Sequence, residues 1–238
     1  MKALATAGPG MLESRAIAEE LMDDPALDVG VYAHVMRDLG RVNSVTMARV
    51  PTLEFLGRAL SGRKQFRLLD VGYGGGDMLR AIAHWSAKRG IAADLVGVDL
   101  NSRSEAAAKR ETPATMPIRY ITGDYADMAG EGFDFIVSSL VAHHMTRAEL
   151  IAFLRFMDAN AARGWFINDL HRHGFAWLAY PLLAGLMHWH PIVRHDGRLS
   201  IARSYRPEEW PPLLDEAGVR RARVRRVFPF RLCVEAIR

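Results

Sequence analysis

Hydrophobic residues in the middle of the chain form short runs that alternate with segments of helical periodicity. The short runs predict five strands, at about 67–71, 94–99, 118–122, 134–139 and 164–169. The clearest amphipathic segment covers 146–162 and opens with Thr146 and Glu149, the spacing of a capping box. Strands that alternate with helices predict a mostly parallel sheet with helices on both faces. We therefore predict an α/β fold of the doubly wound, Rossmann-like kind.

Both ends of the chain have different patterns. Helical spacing predicts three N-terminal helices, at about 11–27, 28–39 and 43–60, with Pro51 kinking or dividing the third. A helix at 207–218 and two strands at 222–228 and 231–237 close the chain. These patterns divide it into a helical N-terminal cap (1–64), a core (65–170), an apolar lid insertion (171–200), and a helix with a strand pair that completes the core (201–238).

The insertion at 171–200 is the most apolar and aromatic part of the sequence, and Pro181 interrupts it. Buried core, a lid over a substrate pocket and interfacial contact with a membrane are the three interpretations of such a segment. We favour the lid, because the insertion follows a strand whose end faces the predicted site. The N-terminal helices are likewise interpreted as a cap over the substrate or as extra cover for the core, and we favour the cap.

The turn after the first predicted strand is rich in glycine. Asp70 is followed by Gly72, Gly74, Gly76 and Asp77. Glycine permits positive φ and lets a ligand approach the backbone closely. The dinucleotide fingerprint fails because its third glycine falls on Asp77, and the P-loop fails because no lysine follows the glycines. A loop with a carboxylate at each end favours a cationic ligand without phosphate, and S-adenosylmethionine is such a ligand.

At these residues the chain resembles the class I S-adenosylmethionine-dependent methyltransferases, whose first motif is acid-x-Gly-x-Gly-x-Gly. Asp99, at the end of the second strand, and Asp124, after the third, also match the family. The resemblance implies that Asp99 binds the ribose hydroxyls, that Asp124 receives the adenine amino group and that Tyr125 packs on the ring. It also makes the last two strands an antiparallel pair in a seven-stranded sheet. The predicted cofactor-binding residues are Asp70, Gly72, Gly74, Gly76, Asp99, Leu100, Asp124, Tyr125 and Ser139.

Two histidines follow the fourth strand. The segment around His143 and His144 resembles the part of phenolic O-methyltransferases in which a histidine is the general base, although Met145 and Arg147 depart from that pattern. A phenol has a pKa of about 10, so its oxygen needs a base such as histidine to become a good nucleophile. Either histidine could be the base, and both could instead be structural. The predicted catalytic residues are His143, His144, Asp169 and His171.

The methyl acceptor is predicted to be an apolar aromatic small molecule, such as a phenol, a quinol or a polyketide-like compound of secondary metabolism. Residues of the cap and of the insertion are the predicted substrate contacts: Tyr32, His34, Met36, Trp177, Tyr180, Met187 and His173. The run 168–172 faintly resembles methyltransferases that accompany type III polyketide synthases. The alternatives are C- or N-methylation by proximity, and an S-adenosylmethionine-binding protein without catalysis. No metal is predicted, although the chain has nine histidines.

Composition limits the disulfides, the cellular compartment and the partners that we expect for the protein. The 238 residues carry a net charge of +4 and a single cysteine, Cys233, so no intrachain disulfide is expected. We expect a cytoplasmic protein, since neither a signal peptide nor a membrane-spanning run is apparent. Arg221, Arg223 and Arg225 alternate on a C-terminal strand, which indicates a solvated face rather than a nucleic-acid site. The oligomeric state stays open, with a homodimer as one option.

Overall fold

The computed structural model describes residues 12–238, and a seven-stranded sheet forms its centre. Its strands are β1 (Gln65–Val71), β2 (Ala92–Asp99), β3 (Ile118–Thr122), β4 (Phe133–Ser139), β5 (Ala161–Leu170), β6 (Arg223–Val227) and β7 (Arg231–Ile237). They lie in the order β3-β2-β1-β4-β5-β7-β6. The first five strands are parallel, and β7 runs antiparallel to both β5 and β6. The predicted fold class is confirmed.

Helices cover both faces of this sheet. They are α1 (Val29–Val45), α2 (Val50–Ala59), α3 (Asp77–Ala87), α4 (Ser102–Glu111), α5 (Arg147–Asn160), α6 (Gly174–Leu186), α7 (Pro191–Arg203) and α8 (Trp210–Ala217). One buried apolar cluster joins α5 and α8 to the sheet, and a second joins α2 and α3 to it. Strand order reverses between β1 and β4, and ligands of such sheets bind at the carboxyl ends of the strands beside this switch point.

The first predicted helix is wrong over its described residues, because 12–27 contain no α-helix and residues 15–27 have only one 3₁₀ turn, Leu21–Asp23. Met11 lies outside the described residues. Part of the backbone of this segment bonds to α7, since the N–H groups of Leu21 and Met22 donate to the Asp196 carboxylate at 3.0 and 2.9 Å. Ile17, on the predicted apolar face, is 96% exposed. Long-range hydrogen bonds therefore outweigh the local helical pattern, and we call residues 12–28 the strap.

The boundary between the next two helices also differs from the prediction. Helix α1 continues through Gly40 to Val45, since one glycine in a helix costs only about 1 kcal/mol. The break falls at 46–49, where Met47 has a φ of 52°. Pro51 lies in the first turn of α2, so the predicted division of the third helix occurs.

The insertion after β5 forms the helix pair α6 and α7. Pro181 lies inside α6, and α7 continues to Arg203, beyond the predicted end of the insertion. The capping box at Thr146 and Glu149 starts α5 as predicted, and α8 ends at Gly218. Within residues 12–238, every helix is too short or too polar to cross a membrane.

Candidate active site

A cavity of about 500 Å³ opens at the carboxyl ends of β1, β2 and β4. Its floor is the glycine loop after β1 and the ends of these strands. The strap, α1, α6 and α7 form the walls. The parallel strands bring residues that are distant in sequence to this edge, as the sheet pattern predicts.

The glycine loop needs its glycines for backbone shape and for close packing. Gly72, Gly74 and Gly76 have φ values of 75°, 51° and 72°. A Cβ on Gly72 would lie 2.4 Å from a methyl carbon of Val141, and one on Gly76 would lie 2.5 Å from the Tyr120 hydroxyl. Gly72 and Gly74 border the cavity, whereas Gly76 lies behind the loop at the start of α3.

Two carboxylates lie beside this loop in different environments. Asp99 borders the cavity and accepts hydrogen bonds from the backbone N–H groups of Gly74 and Asn101, both at 2.8 Å. Asp70 is buried, and neither of its carboxylate oxygens has a hydrogen-bond partner among the described residues. Burial, with the charges of Asp77 and Asp99, raises the pKa of Asp70 well above its usual value. Asp70 itself does not border the cavity, but an unpaired buried carboxylate is costly, so the glycine loop beside it favours a ligand that brings positive charge.

His143 is buried at the end of β4 and is fixed by Asp169. Its Nδ1 lies 2.7 Å from Oδ1 of Asp169, and its backbone N–H donates to the other carboxylate oxygen at 2.9 Å. Nε2 has no hydrogen-bond partner among residues 12–238. Burial alone would lower the pKa of His143, but Asp169 and then Glu20 outweigh it and raise that pKa to about 9. The ring is therefore held in one orientation with one nitrogen free beside the cavity.

Glu20 of the strap faces both histidines. Its Oε1 lies 3.6 Å from Nε2 of His143 and 3.7 Å from Nε2 of His144, and it accepts a hydrogen bond from Ser200 at 2.7 Å. Burial would raise the pKa of Glu20, but the two histidines and Ser200 together lower it to about 2. Sequence reasoning missed Glu20, because its segment was predicted to be a helix. Glu20 also lies among other acidic residues, such as Glu19 and Asp23, so the local sequence does not distinguish it.

The glutamate and the two histidines also resemble a metal-binding set. Their ligand-type atoms lie within 4.8 Å of one another. Arg203 approaches the same oxygen of Glu20 at 3.9 Å and already brings positive charge to it.

The structure brings some of the predicted substrate contacts to the cavity and not others. Those that border it are Tyr32, Met36, Tyr180 and the predicted catalytic residue His171. His34 turns outward beside Asp38 on α1, and Trp177 is buried beneath the guanidinium of Arg198. Met187 follows the end of α6 and is partly exposed, and His173 caps the start of that helix. A helix presents only part of its circumference to a cavity, and these four side chains lie on other sides.

Some of the remaining predicted cofactor contacts border the cavity, and one does not. Leu100, Tyr125 and Ser139 border the cavity. Asp124 is exposed and caps a short 3₁₀ turn by accepting from the N–H of Ala126 at 2.9 Å. The Ser139 hydroxyl is buried and lacks a partner among the described residues, so it offers a hydrogen bond to a ligand.

Comparisons with known proteins agree with this fold and with a methyltransferase domain. A family model described as a methyltransferase domain matches residues 68–164. The chain carries a class I S-adenosylmethionine-dependent methyltransferase domain. No curated protein sequence matches the chain at a significant level.

Solved structures with the fold of this methyltransferase are distant in sequence. The plantazolicin methyltransferase BpumL has a TM-score of 0.68 at 14% identity, with 91% of each chain covered. A S-adenosylmethionine-dependent methyltransferase from Aquifex aeolicus has a TM-score of 0.61 at 16% identity, covering 89% of this chain and 98% of its own. Human N-acetylserotonin methyltransferase has the same score and identity, but the match spans only 56% of the human chain.

S-Adenosylmethionine is the cofactor of the methyltransferase, and the residues beside the glycine loop fit it. Its ammonium and sulfonium groups bring positive charge to Asp99 and to the glycine loop, whereas Asp77 is already paired with Arg49 at 2.8 Å. The Asp99 carboxylate lies where hydroxyl groups can reach it from the cavity, and the open backbone of the glycine loop admits a close ligand. Two observations carry this fit: the Ser139 hydroxyl at the cavity and the Asp70 carboxylate, buried just before the glycine loop, both lack a partner among the described residues.

Sequence reasoning also missed a buried arginine at the cavity. Arg231, at the start of β7, donates to the Thr46 hydroxyl at 3.1 Å, while its Nη1 has no partner among the described residues. Burial lowers the pKa of Arg231, and Asp169 opposes this. No local pattern identifies such a residue, because it reaches the cavity only through the antiparallel pairing of β7 with β5.

Proposed function

We propose that the methyltransferase methylates an oxygen of an apolar aromatic small molecule, a phenol or a quinol, with His143 as the general base. The observation that carries this proposal is the free Nε2 of His143. It is buried at the cavity wall, and Asp169 holds the opposite nitrogen at 2.7 Å. Bound S-adenosylmethionine supplies an electrophilic methyl group, and the residues of the chain position and deprotonate the acceptor.

Asp169 determines which nitrogen can act as the base. A carboxylate that accepts the Nδ1 proton fixes the neutral tautomer with Nε2 free to receive a proton. The pKa of His143, about 9, lies close to that of a phenol, about 10. Transfer of the proton from the phenol to His143 therefore costs little free energy. Transfer from the acceptor oxygen to Nε2 leaves a phenolate beside an imidazolium, and that ion pair is stabilised in a buried site.

The walls of the cavity support an acceptor with an apolar body. Helix α6 contributes Ala176, Ala179 and Leu183, and α7 contributes Ile201. The free Nη1 of Arg231 supports a second oxygen on the same molecule, such as a carbonyl or carboxylate, since a buried donor is costly when left unpaired. The proposed acceptor therefore has an aromatic or apolar body, one hydroxyl group and one further oxygen.

The charge of His143 favours a second candidate. With a pKa of about 9 the ring is mostly an imidazolium at neutral pH, which cannot accept a proton. A carbon or nitrogen nucleophile that needs no base could be methylated by alignment alone. Structures with this fold include a putative O-methyltransferase from Nostoc punctiforme, but at 16% identity the likeness extends to the fold and not to the acceptor atom.

The test is an activity screen of purified wild-type protein and the variant His143→Gln. Both are incubated with S-adenosylmethionine and matched phenols that either carry or lack a carbonyl or carboxylate group. Release of S-adenosylhomocysteine is followed from pH 6 to 10, and NMR assigns the methylated atom. We expect O-methyl products with a preference for the second oxygen, and a loss of rate of about 10²- to 10⁴-fold in His143→Gln.

Two outcomes would contradict the proposal. Equal rates in wild type and His143→Gln across this pH range, with products methylated on carbon or nitrogen, would support transfer by alignment alone. Loss of activity on treatment with EDTA, reversed by Zn²⁺ or Mg²⁺, would mean that Glu20 and the two histidines hold a metal ion. Calorimetry with S-adenosylmethionine is the control, because His143→Gln should leave its affinity unchanged.

A further inference from the structure

Helix α6 is apolar on both its inner and its outer side. Its inner side lines the cavity and packs on α7. Its outer side carries Phe175, Leu178, Leu182 and Leu186, which are 63%, 65%, 78% and 75% exposed. The sequence of the helix contains no charged residue. One helix therefore separates the cavity from an exposed row of large apolar side chains.

The apolar row continues onto the turn between β6 and β7. The ring of Phe230 lies 5.8 Å from that of Phe175, and the backbone N–H of His171 donates to the Phe230 carbonyl at 3.0 Å. Phe228, in the same turn, is 78% exposed. We call the outer side of α6 together with Phe228 and Phe230 the apolar face. Single exposed apolar residues are common, but a contiguous set of this kind indicates an interaction surface.

Basic residues border the apolar face. Arg226 lies in β6, two residues before Phe228, and is exposed. Burial, then the neighbouring His173 and Arg226, lower the pKa of His171. Arg194 lies beyond the other end of α6 and donates to the Trp189 carbonyl at 2.7 Å. Between Asp169 and Asp196 the sequence contains no acidic residue. Further exposed arginines follow along the edge strand and the loop before it: Arg220, Arg221, Arg223 and Arg225.

We propose that the apolar face binds an anionic lipid surface. Peripheral membrane proteins combine large apolar side chains, which enter the headgroup region, with Lys or Arg residues that attract anionic lipids. A second copy of the chain is the competing occupant. A two-fold contact through the apolar face would bring Arg226 and the neighbouring arginines of both copies together, and like charges oppose such a contact. Charge thus favours lipid over self-association.

This placement gives the cavity access to lipid. Residues on the inner side of α6 border the cavity, as do Pro229 and Phe230 of the turn that belongs to the apolar face. A surface-bound methyltransferase would have its cavity next to the bilayer, where apolar molecules concentrate. The vesicle binding inferred here does not depend on the proposed acceptor, since it is measured without any substrate.

The test is flotation of the full chain with vesicles of phosphatidylcholine alone or of an equal mixture with phosphatidylglycerol. We expect binding to the anionic vesicles that weakens when salt rises from about 0.1 M to about 1 M, because the Debye length falls from roughly 10 to 3 Å. The double variant Leu178→Glu/Leu182→Glu should bind at least tenfold more weakly. In the wild type both leucine side chains would move from water into the bilayer, and the glutamates remove this favourable burial. The matched control is Ile237→Glu, an exposed apolar residue at the opposite end of the sheet.

Size-exclusion chromatography and thermal unfolding complete the test. Both altered leucines are exposed, so the double variant should unfold at nearly the wild-type temperature. Absence of wild-type binding to either kind of vesicle would overturn the proposal. If it also eluted as a dimer that the double variant converted to a monomer, the apolar face would be a contact between copies. Equal loss of vesicle binding in Ile237→Glu would likewise contradict the proposal.

Discussion

Oε1 of Glu20 lies 3.6 Å from Nε2 of His143, while Asp169 contacts the other nitrogen of the same ring at 2.7 Å. Two carboxylates thus flank one buried imidazole, and together they outweigh the effect of burial on its pKa. Glu20 comes from the strap and Asp169 from β5, so the charge state of His143 depends on the strap remaining in place. In the proposed function, Glu20 sets the pH range in which His143 is a base.

The variant Glu20→Gln should shift the pH–rate profile toward acid. In wild type the rate should rise with pH as His143 loses its proton, up to a pKa of about 9. Removing one carboxylate lowers that pKa, so the rate at pH 7 should rise several-fold and the profile should level off at lower pH. Glu19→Gln, an exposed neighbour, is the control and should leave the profile unchanged.

Thermal unfolding gives a second readout of the same interaction without substrate. The folded pKa of His143 lies above its ordinary value of 6.5. Its contribution to stability is therefore complete below that value and is lost as the pH rises toward about 9. The unfolding temperature should fall over this pH window in wild type and should fall less in Glu20→Gln. Parallel curves for the two proteins would contradict the assigned charge pair.

Asp70→Asn should stabilise the ligand-free protein while weakening cofactor binding. The raised pKa of Asp70 means that folding loses stability as pH rises through that pKa, because the ionised group is buried without a partner. The amide removes this charge. The free energy of unfolding at pH 8 should therefore rise by about 1 kcal/mol, which corresponds to an increase of a few degrees in the unfolding temperature. Calorimetry should show affinity for S-adenosylmethionine at least tenfold lower. An unchanged affinity would argue against the role of Asp70 at the cofactor.

Asp99→Asn should weaken binding of S-adenosylmethionine at least tenfold, since one acceptor oxygen for hydroxyl groups is lost. It should also loosen the glycine loop, because Oδ2 of Asp99 accepts from the Gly74 N–H at 2.8 Å. Calorimetry measures the first effect and thermal unfolding the second. Asp94→Asn, an exposed position on the same strand, provides the matched control. Equal binding by the two variants would contradict the placement of the cofactor.

Gly197→Ala should displace the wall of the cavity. A Cβ at Gly197 would lie 2.2 Å from the ring of Tyr180, whose hydroxyl donates to the Val193 carbonyl at 2.9 Å. Overpacking of this kind costs about 1–3 kcal/mol, so the unfolding temperature should fall and the KM for the acceptor should rise. Gly185→Ala is the control, because open space surrounds that site and alanine favours a helix by about 0.5–1 kcal/mol. The same loss in both variants would exclude the Tyr180 contact as the cause.

Sequence alone was enough for the sheet and for the position of the glycine loop beside the end of β2. The strands follow from short apolar runs, and parallel strands end at one edge, so Asp70 and Asp99 had to lie near each other. The glycine loop is contiguous in sequence, and its backbone shape is a local property. His143 follows β4, and Asp169 lies at the end of the neighbouring strand β5, so their proximity could be anticipated for the same reason.

Only the tertiary structure shows which residues line the part of the cavity that is proposed to bind the methyl acceptor. The strap has a helical pattern, yet its backbone bonds to Asp196 and Ala202 of α7, and this brings Glu20 to His143. Arg231 reaches the cavity through strand pairing, and Gly197 matters because Tyr180 packs on it. Local propensities amount to tenths of a kcal/mol per residue, whereas a buried charge pair or a lost hydrogen bond amounts to kcal/mol. Contacts between residues far apart in sequence therefore determine the proposed acceptor-binding part of the cavity. The sequence pattern does not show which distant residues will be in contact.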